Sequence, residues 1–203
     1  MNLILIRHGE TEWNKLKLCQ GISDINLSEF GKIQASRLAE SLKDSQIDFI
    51  YSSNLKRAYE TASVIAEDHD LCVEVEDGFR EMDQGDFEGQ PFERIRETHG
   101  ELLQSWRADP ANFRIPNGET LQEVQDRAYN ALRNIYVNHC CKNVLIVSHN
   151  FTIITLLCKF QGESLKDFYK YKIKETSKHI IKFKNDSYIV ELLNDTDHLS
   201  NIN

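Results

Sequence analysis

The chain has 203 residues, of which 40% are hydrophobic and 28% charged, with three prolines. Domains run to about 100–200 residues, so this is material for one domain with a sizeable core and little for a disordered arm. A formal net charge of −8 gives a surface that repels nucleic-acid phosphates and anionic lipid headgroups, so any anion has to be captured locally.

The first predicted element is Leu3-Ile4-Leu5-Ile6. It lacks the basic flank of a signal peptide and the length to span a bilayer, and no later stretch reaches membrane length. An apolar run without alternation is the pattern of a strand buried on both faces of a parallel sheet. Ser28 is the expected N-cap of a helix reaching about Leu42, with Ile33, Leu38 and Leu42 near one face. A buried strand is predicted over 47–51, a helix over 55–68 and a weaker strand over 71–75. The stretch 81–118 breaks the alternation and holds Gly85, Gly89, Pro91, Pro110, Pro116 and Gly118. It is predicted to be an inserted cap or rim on a single domain spanning 1–203, with two short helices within 91–109. A helix over 120–138, a strand over 144–147 and an apolar helix over 151–160 follow. The chain then ends in a hairpin of strands 179–183 and 188–192 around Asn185-Asp186. This alternation implies a three-layer α/β/α sandwich on a mainly parallel sheet of about six strands. The five cysteines show no CxxC pair. They argue for a reducing compartment, the cytoplasm, and are expected as small buried hydrophobes.

In an open α/β sheet, ligands bind beyond the carboxyl ends of the parallel strands. The residues predicted there are Arg7 to Asn14 after the first strand, Ser52 to Arg57 after the second, and Ser148-His149-Asn150 after the fourth. Two histidines, His8 and His149, and two arginines, Arg7 and Arg57, then converge. A guanidinium offers paired donors and stays charged at every relevant pH, which suits a phosphate. The same positive charge disfavours imidazolium, so it should lower the pKa of His8 and free a ring nitrogen as nucleophile. Taken singly, each of these residues reads as a surface or hydrogen-bonding group; together they read as an anion pocket with a nucleophile inside it. His69, His99, His139, His179 and His198 lie in helical or polar contexts and read as solvated or packing residues. His139-Cys140-Cys141 is a poor metal site, because three adjacent residues alone cannot give good tetrahedral geometry.

The segments that carry this pocket also resemble a known family. They are LILIRHGETEWN at 3–14, Gln20-Gly21 followed by LSEFGKIQA at 27–35, IYSSNLKRAYETA at 50–62, FREMDQGDFEG at 79–89, PNGETL at 116–121 and VLIVSHN at 144–150. In this order they resemble the motifs of the histidine phosphatase superfamily, which includes the cofactor-dependent phosphoglycerate mutases. The resemblance implies catalytic roles for His8, Glu81 and His149, with His8 the phosphorylated nucleophile and Glu81 the proton donor. It also implies a ring of phosphate ligands made by Arg7, Asn14, Gln20, Gly21, Arg57 and His149. Spacing alone does not choose Glu81 among Asp83, Asp86 and Glu88, which read as a solvated acidic rim. To act first as an acid, Glu81 needs a raised pKa, and its acidic neighbours are expected to raise it. No metal and no cofactor are implied, since the arginines neutralise the transferring group. The implied partner is a small phosphorylated metabolite rather than nucleic acid or membrane, and a homodimer is neither required nor excluded.

The run after Glu81, MDQGDFEGQPFERIRE, is short and acidic. It resembles the phosphatase branch rather than the mutases, whose longer cap carries a basic and aromatic run. Together with WRADPANFRIPNGET it looks most like α-ribazole phosphatases and broad phosphomonoesterases. Gln84 stands where those enzymes tend to show an aromatic residue, so phosphoserine stays open as a substrate. A phosphoglycerate mutase and a phosphoprotein phosphatase or regulatory protein are the alternatives. Trp106, Arg107, Phe113 and Arg114 are candidates for a substrate pocket in the cap. The tail 193–199 either resembles family tails that lie near the cap or frays.

Overall fold

The computed structural model describes residues 1–184 and 187–200. Its strands are β1 (Asn2–Arg7), β2 (Phe49–Ser52), β3 (Val73–Val75), β4 (Asn143–Ser148), β5 (Lys178–Lys184) and β6 (Ser187–Asp195). They form one six-stranded sheet in the order β3-β2-β4-β1-β5-β6. The first four run parallel to one another, while β5 pairs antiparallel with β1, and β6 antiparallel with β5, to extend one side. The turn at Asn185-Asp186 lies outside the described residues. The helices are α1 (Glu12–Lys15), α2 (Glu29–Leu42), α3 (Lys56–Asp68), α4 (Phe92–Thr98), α5 (Gly100–Ala108), α6 (Leu121–Asn138) and α7 (Asn150–Gln161).

The parity of the buried runs produces the three layers. Leu3, Leu5, Val144 and Ile146 face α6 and α7, whereas Ile6, Ile50, Leu145 and Val147 face α2 and α3. Both faces are therefore apolar, and each fully buried aliphatic side chain contributes about 1.5–3 kcal/mol. Arg7 pairs with Ser148 and Ser52 with Val147, so β1, β2 and β4 end level and deliver their following residues to one place.

Helix entry follows the cap residues. The Ser28 hydroxyl accepts from the Gly31 N–H at 3.0 Å. Thr120 and Glu123 close a reciprocal capping box at the start of α6. Ile33 corrects the expectation for α2: it is 50% exposed. It lies about 140° round the helix from Leu38, and the buried stripe is built from Gly31, Gln34, Ala35, Leu38, Ala39 and Leu42. The four-residue α1 has no apolar stripe to betray it and is held by its own capping box between Thr11 and Asn14.

The stretch 81–118 carries α4 and α5 within the expected bounds. Its Phe87, Ile95, Leu103 and Ile115 are buried in the same apolar cluster as the α6–α7 face. The tail does not lie with them. Its 3₁₀ turn Asp197–Leu199 packs beside α2, and His198 Nε2 shares a hydrogen bond with Thr176 Oγ1 at 3.1 Å. Among the cysteines only Cys19 and Cys158 are buried; Cys72, Cys140 and Cys141 are exposed because they sit in connections rather than inside elements. Among the described residues no helix is long and apolar enough to cross a membrane.

Candidate active site

The carboxyl ends of β1, β2 and β4 open on a cavity of about 410 Å³ whose wall includes Arg7, His8, Asn14, Gln20, Gly21, Arg57 and Glu81. His149 is fully buried beside it, its ring centroid 5.0 Å from that of His8. The residues singled out from the sequence are thus brought together from five separate stretches of chain.

His8 is oriented by its own tripeptide. Its Nδ1 lies 2.7 Å from the Gly9 carbonyl; a carbonyl only accepts, so Nδ1 carries the proton and Nε2 the lone pair. Arg57 Nε donates to that Nε2 at 3.3 Å. Thr61 ties the two together, accepting from the Gly9 N–H at 3.1 Å and donating to the Arg57 carbonyl at 2.8 Å. Glycine follows His8 because a Cβ there would lie 2.7 Å from the Gly31 carbonyl at the start of α2. The His8 pKa is held well below its ordinary value, first by burial and then by Arg57 and Arg7. The direction is the one expected from the arginines, but burial is the larger cause.

Arg57 is fully buried and bonded to carbonyls, those of Ser23 at 2.8 Å and Gly21 at 2.7 Å. Among the described residues no carboxylate forms an ion pair with it, which leaves its charge for an anion. Burial draws it down to about 10, still cationic at neutral pH. Gly21 presents its carbonyl from a left-handed backbone (φ +51), and a Cβ there would come within 1.8 Å of Glu88 Oε1. Arg7 donates to the Ile173 carbonyl at 2.5 Å and pairs with Glu175 at 2.9 Å. His149 shares a hydrogen bond with Ser53 Oγ at 2.8 Å through Nε2. Arg7 Nε and His149 Nδ1 are buried with no partner among the described residues. A buried polar group without a partner costs about 1–3 kcal/mol, a cost that a ligand oxygen removes. Elsewhere in the lining, the Thr11 N–H donates to Asn14 Oδ1 at 3.0 Å and its hydroxyl to Gln20 Oε1 at 3.0 Å, which orients both amides.

Glu81 has surroundings the sequence did not suggest. Its Oε1 accepts from the backbone N–H groups of Met82 at 2.8 Å, Phe151 at 3.2 Å and Thr152 at 3.3 Å, so the carboxylate caps the N-terminus of α7. The expected acidic rim is instead a set of loop ties. Glu88 accepts from the backbone of Ile22 and Ser23, Asp83 from the Gly85 N–H and Asp86 from Asn117.

The backbone that carries Glu81 is clamped by Arg127, which sequence reasoning missed. Its guanidinium donates to the carbonyls of Gly78 at 2.8 Å, Arg80 at 2.7 Å and Glu81 at 2.9 Å, and to both oxygens of Glu119. Burial pushes the Glu119 pKa up, but Arg127 and a bond from the Asp83 N–H more than offset it, holding the carboxyl below its usual range. Ser53 and Thr61 lie in segments already singled out but had been given no role of their own, and Glu175 was unremarked. The capping box locates α6, but nothing in the sequence names the partners of a helical arginine.

The cap candidates separate. Trp106 packs edge-on to Phe168 and Phe151, with centroids 4.8 and 6.0 Å away, beside a small void of about 40 Å³. Arg114 is bound to the Gly118 carbonyl at 2.8 Å and to Glu123, so it ties its own loop. Arg107 is exposed and Phe113 half-buried, and neither lines the main cavity.

The buried histidines set an acid limit on stability. His8 and His149 are held well below their ordinary values, His149 first by burial and then by Arg57, and burial draws His179 down to about 4. Each folded value lies below the unfolded value of about 6.5, so the unfolded chain takes up protons first. Their stabilisation is complete above about pH 6.5 and falls by up to about 1.4 kcal/mol per pH unit per histidine below it. The urea midpoint is expected to drop between about pH 7 and pH 5, before most carboxylates titrate; an unchanged midpoint would contradict buried neutral histidines.

The profile of the Histidine phosphatase superfamily (branch 1) matches residues 3–196. Phosphoserine phosphatase 1 of Hydrogenobacter thermophilus is 36% identical over 199 residues, covering 98% of this chain and 94% of the relative. Bacillus stearothermophilus YhfR superposes with a TM-score of 0.92 at 31% identity, covering 98% of each chain. The α-ribazole phosphatase of Shigella flexneri does so with a TM-score of 0.86 at 28% identity, covering 97% of each. The chain belongs to the histidine phosphatase superfamily, branch 1.

Proposed function

We propose that this phosphoric monoester hydrolase cleaves small phosphorylated metabolites through a phosphohistidine on His8. The observation that carries the assignment is His8 itself, its Nδ1 proton committed to the Gly9 carbonyl and its Nε2 lone pair at the cavity beside Arg57. In the first half-reaction the phosphoryl oxygens lie against Arg7, Arg57 and His149, and Nε2 attacks phosphorus as the ester P–O bond breaks. Glu81, entering as the acid, gives its proton to the departing alkoxide. In the second half, Glu81 as carboxylate takes a proton from water, the hydroxyl attacks phosphorus, and the N–P bond breaks to release phosphate and restore His8. Asn14, Gln20 and Gly21 complete the phosphate wall, with Arg127 and Glu119 as positioning residues for Glu81. The cap 81–118 completes one catalytic unit with the sheet and selects the leaving group.

Phosphoserine is the favoured substrate over α-ribazole phosphate, on the higher identity to the relative named for it, 36% against 28%. The unpaired thiols fit a reducing compartment, the cytoplasm. The test is steady-state hydrolysis of phosphoserine, α-ribazole phosphate, sugar phosphates and p-nitrophenyl phosphate, with and without EDTA. Phosphate release unaffected by the chelator, fastest on phosphoserine, is expected. Loss of activity with EDTA, or interconversion of phosphoglycerates in place of hydrolysis, would overturn the assignment.

A further inference from the structure

Arg7 and Arg57 line the same cavity but are held in different ways. Arg57 is bonded to carbonyls and pairs with no carboxylate among the described residues. Arg7 pairs with Glu175 at 2.9 Å, and the two side chains are largely withdrawn from solvent, at 12% and 30% exposure. A carboxylate beside a phosphate-binding arginine weakens the attraction for a dianion, so charge alone gives no reason for it to be there.

Glu175 belongs to a strap, residues 173–177, that precedes β5 and is bonded to the backbone of Arg7 and His8. The Ile173 carbonyl accepts from Arg7 Nη1 at 2.5 Å. The Ser177 carbonyl accepts from the Arg7 N–H at 3.3 Å, and the Thr176 N–H donates to the His8 carbonyl at 3.3 Å. The strap is tied in turn to itself and to the end of the chain. Ser177 Oγ donates to the Lys174 carbonyl at 2.7 Å, and the Lys174 N–H donates to Asn194 Oδ1 at 2.9 Å. Thr176 Oγ1 shares its hydrogen bond with His198 Nε2. Thr176 is fully buried with φ +51. A β-branched residue is strained in the left-handed region and stays there only where its surroundings over-determine it. The strap is therefore held in one conformation, and Arg7 is held by the strap. With Nη1 on Ile173 and Nη2 on Glu175, Nε is left buried and without a partner among the described residues. The guanidinium is planar, so fixing two nitrogens fixes the direction of the third.

We propose that Glu175 is a positioning residue for phosphoryl transfer, acting through Arg7: it sets the plane of the guanidinium before substrate arrives. The role rests on the phosphatase assignment above and extends it to a carboxylate that touches none of the reacting atoms. Donors fixed in advance need no reorganisation as charge develops on the phosphoryl oxygens. An unpaired arginine would instead give up side-chain freedom at each turnover.

The experiment measures kcat and KM on phosphoserine and p-nitrophenyl phosphate for wild type, Glu175→Ala, Glu175→Gln, Arg7→Met and the double variant Arg7→Met/Glu175→Ala. Glu175→Ala is expected to lower kcat about tenfold or more, the scale of a misplaced contact. KM should stay level or fall, because the released guanidinium still attracts the dianion but is no longer aimed. Glu175→Gln should remain within about threefold of wild type, since its amide oxygen accepts from the same nitrogen. Arg7→Met should lose about 10²-fold in kcat/KM, the scale of a lost charge-assisted contact, which leaves a measurable rate. In that background Glu175→Ala should change kcat/KM by less than about twofold, because a residue that acts through another has nothing left to act on. The same loss from Glu175→Ala in both backgrounds, or a Glu175→Ala variant within about twofold of wild type, overturns the role and leaves the phosphatase assignment standing. A wild-type protein that hydrolyses neither ester overturns both.

Discussion

His8→Ala is expected to lower kcat by at least about 10⁴-fold on every phosphomonoester, the scale seen when a covalent nucleophile is removed. Among the described residues no neighbouring group is placed to substitute. His149 is 5.0 Å away between ring centroids and its Nε2 is engaged with Ser53. Arg57 and Gly21 keep their mutual bond in the variant, since it does not involve His8. The anion pocket should therefore survive, and substrate should bind with an affinity close to that of wild type while turnover stops. Two measurements check this. Calorimetry on His8→Ala should detect bound phosphomonoester, and a rapid alkaline quench of wild type should trap a phosphoenzyme that the variant lacks. Activity within tenfold of wild type would exclude His8 as the nucleophile. Because burial and the arginines hold its pKa well below the ordinary value, His8 stays neutral through pH 6.5, and any acid limb in kcat/KM near that pH belongs to another group.

Glu81→Gln should cost about 10²–10⁴-fold in kcat on alkyl phosphates, the usual contribution of a general acid. The amide keeps one oxygen to accept from the N–H groups of Met82, Phe151 and Thr152, so the local fold is largely retained. The effect should depend on the leaving group. An aryl phosphate expels a stable phenolate that needs no proton, so formation of phosphohistidine from p-nitrophenyl phosphate should be nearly unimpaired. Hydrolysis of the intermediate still needs a base, so the variant should show a burst of nitrophenol followed by slow turnover. An equal loss on aryl and alkyl esters, with no burst, would mean that Glu81 acts through structure and not through its proton.

The legible part of this molecule followed from short-range rules. Leu3 to Ile6, with Ile4 only partly buried, and Val144 to Val147 pack apolar side chains on both faces, and such runs are what a parallel sheet between two helical layers requires. Ser28 and Thr120 mark helix starts because their hydroxyls have a backbone donor three residues ahead to satisfy. The short α1 was missed because four residues give no periodicity. Ile33 was misplaced because a 3.6-residue period carries it away from the stripe that Leu38 and Leu42 define. The pocket residues were legible as a set because the ends of parallel strands are where such a sheet collects chemistry.

By itself the sequence determined the layer order, the helix caps and the residue types of the pocket, since hydrophobic periodicity, capping and side-chain charge are properties of the chain locally. Which groups fix those residues in place was decided only by the tertiary structure. Arg127 reaches the Glu81 carbonyl from 46 positions away, and Thr61 reaches the Gly9 N–H from 52 positions away. The helix N-terminus at Phe151 and Thr152, not the acidic residues next to it in sequence, surrounds the Glu81 carboxylate. Burial, which exists only once the layers have closed, is the largest cause lowering the His8 pKa. Desolvation and long-range hydrogen bonds are properties of packed surfaces, so a linear sequence can supply the reacting groups without revealing the field in which they react.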